Sequence, residues 1–200
     1  MNRVYWLLIF FTVLAWSAYH PADSYTWWLE VIPALVAVVI LILTYPRFPL
    51  TPLLYQLILL HCIVLMIGGH YTYAEVPLFN WMQEWFDWSR NHYDKVGHFV
   101  QGFVPAMIAR ELMIRLQITC PTKTYWRNFL IVTVCLAISA FYELIEWWVA
   151  LLSDQAAEAF LGTQGYVWDT QSDMGFALMG AISALILLGR VHDKQLKALK

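Results

Sequence analysis

Asp94 and His98 lie four residues apart and Gln101 follows three further on, so on a helix the carboxylate, the imidazole and the amide share one face. Glu143 and Glu146, in Phe141-Tyr142-Glu143-Leu144-Ile145-Glu146, also share a face, and Asp169 and Asp173 repeat the four-residue spacing. Crowded carboxylates hold protons more tightly than isolated ones, which suits proton transfer or general acid/base work. Carboxylates with one imidazole also suit a divalent cation, because oxygen ligands favour Mg²⁺, Ca²⁺ or Mn²⁺ and a histidine admits Zn²⁺. The pattern nominates His98, Glu143 and Glu146 as catalytic candidates. It nominates Asp94, His98, Glu143, Glu146, Asp169 and Asp173 as ligands for a divalent cation. The same residues also read as a structural polar network, and spacing alone does not choose.

What gives this cluster weight is its setting. The 200 residues are 60% hydrophobic and 13% charged, with 11 each of Trp, Tyr and Phe. A soluble domain normally carries roughly 25% charged residues, so lipid is the implied solvent. An ionised carboxylate inside a bilayer costs roughly 2.5–3.5 kcal/mol on insertion scales, so such groups normally face the interior and mark a site. The net charge of −2 and the absence of basic runs exclude a nucleic-acid partner. Cys62, Cys120 and Cys135 have neither C-x-x-C nor Cys/His zinc spacing and read as small hydrophobes.

Six segments approach the ~20 apolar residues that a crossing needs. They cover roughly 4–19, 28–45, 53–68, 96–113, 129–152 and 174–189, with breaks at His20-Pro21, Tyr45-Pro46, Gly68-Gly69 and the polar stretch around Pro121. The predicted fold is all-α: a polytopic membrane helix bundle of about six transmembrane helices, with residues 1–200 forming a single integral membrane domain. The first apolar run is expected to be retained as a signal anchor, since cleavage after Ala18 would put bulky Trp16 where a small residue is wanted. From 78 to 92, Leu78, Trp81, Met82, Trp85 and Trp88 recur at helical spacing opposite Asn80, Gln83, Glu84, Asp87 and Arg90, which predicts an interfacial amphipathic helix.

Orientation follows from the basic residues, which resist translocation. With both termini cytoplasmic, the inner segments hold Arg3, Arg47, Arg110, Arg115, Lys123, Arg127, Arg190, Lys194, Lys197 and Lys200, ten of the 12 Lys and Arg. Arg90 and Lys95 remain outside, and the loop over 153–173 has none. The cluster then lies in the outer half of the bilayer. Trp27, Trp28, Trp147, Trp148 and Trp168 read as an aromatic belt at that boundary. His70, with Glu75 nearby, is a weaker candidate to complete the site, and His61 reads as a helix-packing residue. Glu111 and Arg115 read as a local ion pair, while His20, His92 and His192 read as solvated.

Gly68-Gly69-His70-Tyr71-Thr72-Tyr73-Ala74, Asp94-Lys95-Val96-Gly97-His98-Phe99, Glu143-Leu144-Ile145-Glu146-Trp147 and Trp168-Asp169-Thr170-Gln171-Ser172-Asp173-Met174 resemble the YjdF-type family of bacterial inner-membrane proteins over nearly the whole chain. The resemblance implies a bacterial inner-membrane location and brings no activity with it. A more distant similarity is to VanZ-like membrane proteins, associated with teicoplanin resistance. There the pattern Asp-Lys-x-x-His, a later acidic residue and an Asp opening the last span would correspond to Asp94, Lys95, His98, Glu143 and Asp169. This chain has Glu146 where that group tends to carry glutamine and Asp173 where it tends to carry asparagine.

Three functions fit these observations. One is a metal-dependent hydrolase or transferase at the outer leaflet, acting on a lipid or cell-envelope precursor. The second is an ion-coupled transporter with Glu143 and Glu146 as a proton relay, against which stands the lack of paired, broken helices in repeated halves. The third is a membrane scaffold. The partners implied are the lipid bilayer and a lipid or envelope precursor. An apolar exterior reads the same toward lipid or a second copy, so the oligomeric state stays open.

Overall fold

The computed structural model describes residues 3–120, 122–152 and 166–199. The 153–165 part of the loop expected to be free of basic residues lies outside these, as do Pro121 and Lys200. The described residues form seven helices and no strand: α1 (Arg3–Ala18), α2 (Ser24–Thr44), α3 (Pro52–His70), α4 (Pro77–Phe86), α5 (Tyr93–Arg115), α6 (Thr124–Leu152) and α7 (Asp169–Ala198). Four of them, α2, α3, α6 and α7, are long and apolar enough to cross a membrane. Many large apolar side chains on their outer faces are exposed, among them Val36, Ile40, Leu43, Phe141, Leu151 and Ile186. A soluble bundle would not tolerate that much bare apolar surface.

The centre is a parallel pair, α5 and α7. Gly102 lies against the backbone of Ala177 and Gly180 against that of Phe99, so a Cβ at either glycine would fall inside the facing carbonyl oxygen. Ala106, Ala181 and Ala184 are fully buried beside them. Small residues at such spacing let two backbones approach closely, a common device between helices in lipid. α3 packs against α5 on one side, α1 and α2 pack on α3, and α6 closes the other side against α5 and α7. The tie between α1 and α3 is polar as well: the Trp6 indole donates to the Tyr55 carbonyl at 2.7 Å, and His70 Nδ1 lies 2.9 Å from the Ser17 carbonyl.

The structure corrects several expectations. The amphipathic helix is shorter than 78–92, because Asp87 adopts a left-handed conformation (φ 53°) and its N–H closes the helix on the Gln83 carbonyl. Asn91 then ties the chain back, donating to the Val76 carbonyl at 3.0 Å and to Asn80 Oδ1 at 2.6 Å. No residue of α4 is buried, and Leu78, Trp81 and Trp85 stay exposed. Trp27 is not part of a belt: it is buried and donates to Ser17 Oγ at 3.2 Å, while Trp28, Trp147, Trp148 and Trp168 are exposed.

His192, expected in solvent, is 0% exposed. Arg110 Nη1 lies 3.0 Å from its Nδ1 and Glu111 Oε2 lies 2.9 Å from its Nε2. A guanidinium can only donate, so Nδ1 accepts and Nε2 carries the hydrogen given to Glu111. Glu111 is also more than half of a local ion pair. It takes Arg115 Nη1 at 2.8 Å, the Thr51 hydroxyl at 2.8 Å and the Thr51 backbone N–H at 3.1 Å, binding the start of α3 to the far ends of α5 and α7.

Candidate functional site

At the opposite end of the α5–α7 pair a chamber of about 400 Å³ opens between α2, α3, α5, α6 and α7. Asp94, His98, Glu143, Glu146, Asp169 and Asp173 all line it. The helices bring them together for simple reasons. The four-residue step along α5 stacks Asp94 over His98, and His98 Nε2 stands 3.2 Å from Asp94 Oδ1. Gln101 continues the face, with Oε1 3.2 Å from His98 Nδ1. The parallel register of α5 and α7 puts Asp173 Oδ2 3.9 Å from His98 Nε2. From α6, Glu143 Oε1 comes within 3.8 Å of Nδ1 on the other side of the ring.

His98 thus stands among three carboxylates, Asp94 and Asp173 facing Nε2 and Glu143 facing Nδ1. Ligand atoms of Asp94, His98 and Asp173 lie within 4.8 Å of one another, and so do those of His98, Glu143 and Glu146. Each trio has the donor chemistry for a divalent cation. Three buried oxygens in these sets, Asp94 Oδ2, Glu143 Oε1 and Asp173 Oδ1, have no hydrogen-bond partner. Buried polar atoms are almost always satisfied, so three orphans on one cluster need an explanation.

The mouth of the chamber carries two basic residues, Arg90 and Lys95. Arg90 donates to Asp169 Oδ1 at 2.7 Å and lies 3.8 Å from Asp94 Oδ2. Lys95 donates to Ser172 Oγ at 2.6 Å and lies 3.6 Å from Asp173 Oδ1. Beside the mouth, His92 meets Trp88 edge to face with ring centroids 5.0 Å apart. Its imidazole is pushed below its ordinary pKa, first by burial and then by the charges of Arg90 and Lys95.

Glu30, on α2, was not among the sequence candidates, yet it is buried, lines the chamber and accepts a hydrogen bond from Tyr142 Oη at 3.2 Å. Its signal was present: a carboxylate within an apolar span, the same feature that singled out Glu143. Tyr73, buried in the turn after α3, lines the chamber too. His61 sits deep in the same space. His70 does not join the site; its ring packs on Trp16 at 4.6 Å and holds α1. Glu75 is exposed away from the lining residues.

An all-helical bundle with four long apolar helices, clad in exposed apolar side chains around an ionisable chamber, defines an integral membrane protein. The comparisons agree. The chain belongs to the family described as Predicted membrane protein (DUF2238), whose profile matches residues 2–194, as the motif resemblance implied. It is similar to the Inner membrane protein YjdF of Escherichia coli (strain K12), at 52% identity over 185 residues that cover 92% of this chain and 88% of that protein. It is an inner-membrane protein with several apolar helices. No solved structure matches.

Proposed function

We propose that this protein is a membrane-embedded, metal-dependent hydrolase or transferase acting at the outer leaflet on a lipid or cell-envelope precursor. The observation that carries the reading is the set of orphaned, buried carboxylate oxygens on Asp94, Glu143 and Asp173 around His98. In this reading Asp94, Asp173 and His98 Nε2 hold a divalent cation that binds an anionic group of the substrate and lowers the pKa of water. Glu143 and Glu146, on the other side of the ring, take and return the proton. Asp169 steadies Arg90 at the mouth.

The proposed topology is a single domain of six crossings with both termini cytoplasmic. α1 has 16 residues against the ~20 of a full crossing, a mismatch that local thinning accommodates. α5 has 23 residues but low hydropathy. Its polar residues Asp94, His98, Arg110 and Glu111 are all buried against neighbouring helices, so lipid does not meet them. α4, with its exposed indoles, lies in the outer interface.

Elemental analysis of the detergent-purified protein tests the site. A stoichiometric divalent ion is expected in the wild type, lost in His98→Ala and Asp173→Asn and kept in Glu143→Gln. A folded wild type without such an ion, or one that keeps it in His98→Ala, would overturn the metal centre. The depth of His61 favours a second reading, an ion-coupled transporter in which protons pass from Glu143 and Glu146 toward the bilayer centre. Proton flux in proteoliposomes, abolished by Glu143→Gln, would move that reading to the front.

A further inference from the structure

The chamber has two storeys. Its upper part carries the carboxylates and His98. Its floor is made by Pro33, His61, Leu65, Pro105 and Ile138. Pro105 is seven residues below His98 on α5, so the floor lies about 10 Å deeper at 1.5 Å per residue. Apart from His61 the floor is apolar, and it offers little to a water-soluble substrate.

The wall between α2 and α6 is incomplete. These helices do not pack along their length, and Tyr142 donating to Glu30 is the hydrogen bond that links them. Ile138 and Ile145 line the chamber and are at the same time 42% and 37% exposed on the apolar outer face of α6. A side chain that faces both the cavity and the bilayer marks the edge of a side opening. Phe141 and Trp148 continue the exposed apolar face of α6 next to Ile138 and Ile145.

We infer that the substrate is a lipid that enters sideways, its hydrocarbon chain passing between α2 and α6 onto the apolar floor while its anionic headgroup meets the cation site above. The inference rests on the function proposed above and narrows it from any envelope precursor to a membrane-dissolved one. The chain stays in an apolar environment throughout, so no apolar surface need be wetted on the way in. The Tyr142–Glu30 hydrogen bond crosses the opening at the level of the headgroup, which lets a tail pass below it.

The test uses the full chain in vesicles of phosphatidylethanolamine containing phosphatidylglycerol with a photoactivatable diazirine near the end of one acyl chain. After illumination, peptide mapping locates the label, and metal content is measured on the same samples. Label is expected on the floor, at the Leu65 and Pro105 peptides. It should fall at least fivefold in Ile145→Trp and in Ile138→Trp, while label on lipid-facing Val36 and Val39 stays unchanged and reports that the variants are folded. Label confined to the outer surface of the wild type overturns the side entry, as does floor label that neither tryptophan reduces. Metal retained without floor label defeats the lipid route alone. Floor label without metal defeats the metal centre and leaves the route standing.

Discussion

Replacing Gly102 by alanine tests whether the α5–α7 crossing sets the site. The new Cβ would fall well inside the van der Waals radius of the Ala177 carbonyl oxygen, and backbone atoms cannot swing aside as a side chain would. The helices must separate by on the order of an ångström. Overpacking of this kind typically costs about 1–3 kcal/mol, and the backbone location puts Gly102→Ala at the upper end. His98 is one turn above Gly102, and Asp173 one turn above Ala177. The separation therefore acts directly on the 3.9 Å gap between His98 Nε2 and Asp173 Oδ2 and on the 2.6 Å bond from Lys95 to Ser172. A displacement near 1 Å is worth on the order of 10²-fold where geometry decides the chemistry. Thermal unfolding in detergent and metal titration of the folded fraction should both move, with affinity falling even where the protein remains folded. A Gly102→Ala protein with wild-type stability and wild-type metal affinity would refute the reasoning. Gly175→Ala, on the facing helix α7 and with open space around it, should change neither.

At the other end, Glu111→Ala removes the acceptor shared by Arg115, Thr51 and His192. It should cost about 3–5 kcal/mol in chemical unfolding, the range for breaking a buried charged network, while metal bound per folded molecule stays unchanged. Asp23 caps α2 by accepting the Thr26 N–H at 2.7 Å, so Asp23→Ala should cost about 1 kcal/mol. That hydrogen bond holds the Asp23 carboxyl below its ordinary pKa. The cap's contribution is therefore complete above the ordinary carboxylate range and is lost as pH falls through the lowered folded value. The stability gap between wild type and Asp23→Ala, followed by unfolding at stepped pH, should close in that acidic window and hold steady above it.

Much of the helical layout was legible because hydropathy and punctuation act locally. The breaks at Pro21, Pro46 and Gly68-Gly69 bracket α1, α2 and α3 within a few residues. α6 and α7 run further than their apolar cores, since a helix continues through polar residues when a neighbour shields them: Asp169 and Asp173 are inside α7. The shared faces of Asp94 with His98 and of Glu143 with Glu146 follow from helical period alone. What local pattern could not supply was partnership. His192 stands in Arg190-Val191-His192-Asp193-Lys194, a stretch that reads as a wet tail, and only the parallel packing against α5 buries it. Trp27 and Trp28 are identical residue types one step apart, and which faces lipid depends on where α1 and α3 lie. Asp87 ends α4 by a left-handed turn, although Trp88 continues the apolar spacing beyond it.

The two ends of the α5–α7 pair show why one polar cluster is read as structure and the other as a site. Around Glu111 every strong acceptor has a donor in hand: Arg115, Thr51 and His192 serve its oxygens, and Arg110 serves His192 and Asp193. Such a network is complete and asks for nothing. The chamber is not complete. Glu30, Asp94, Glu143, Glu146, Asp169 and Asp173 line it, whereas Arg90 and Lys95, with the His98 imidazole, are the basic side chains that face them. Arg90 and His98 Nδ1 stand 3.8 Å from Asp94 Oδ2 and Glu143 Oε1, respectively, and Lys95 stands 3.6 Å from Asp173 Oδ1, too far for a hydrogen bond, so these three buried oxygens remain without one. In a low-dielectric surrounding an uncompensated carboxylate is far more costly than in water. Extra protons would quench the charge, but a proton on each acid would do nothing that a core of leucines does not do at lower cost. On the proposed reading, a cation with variable occupancy, or a proton that comes and goes, would turn the same deficit into chemistry, and the side opening beneath it would give that chemistry a lipid to act on.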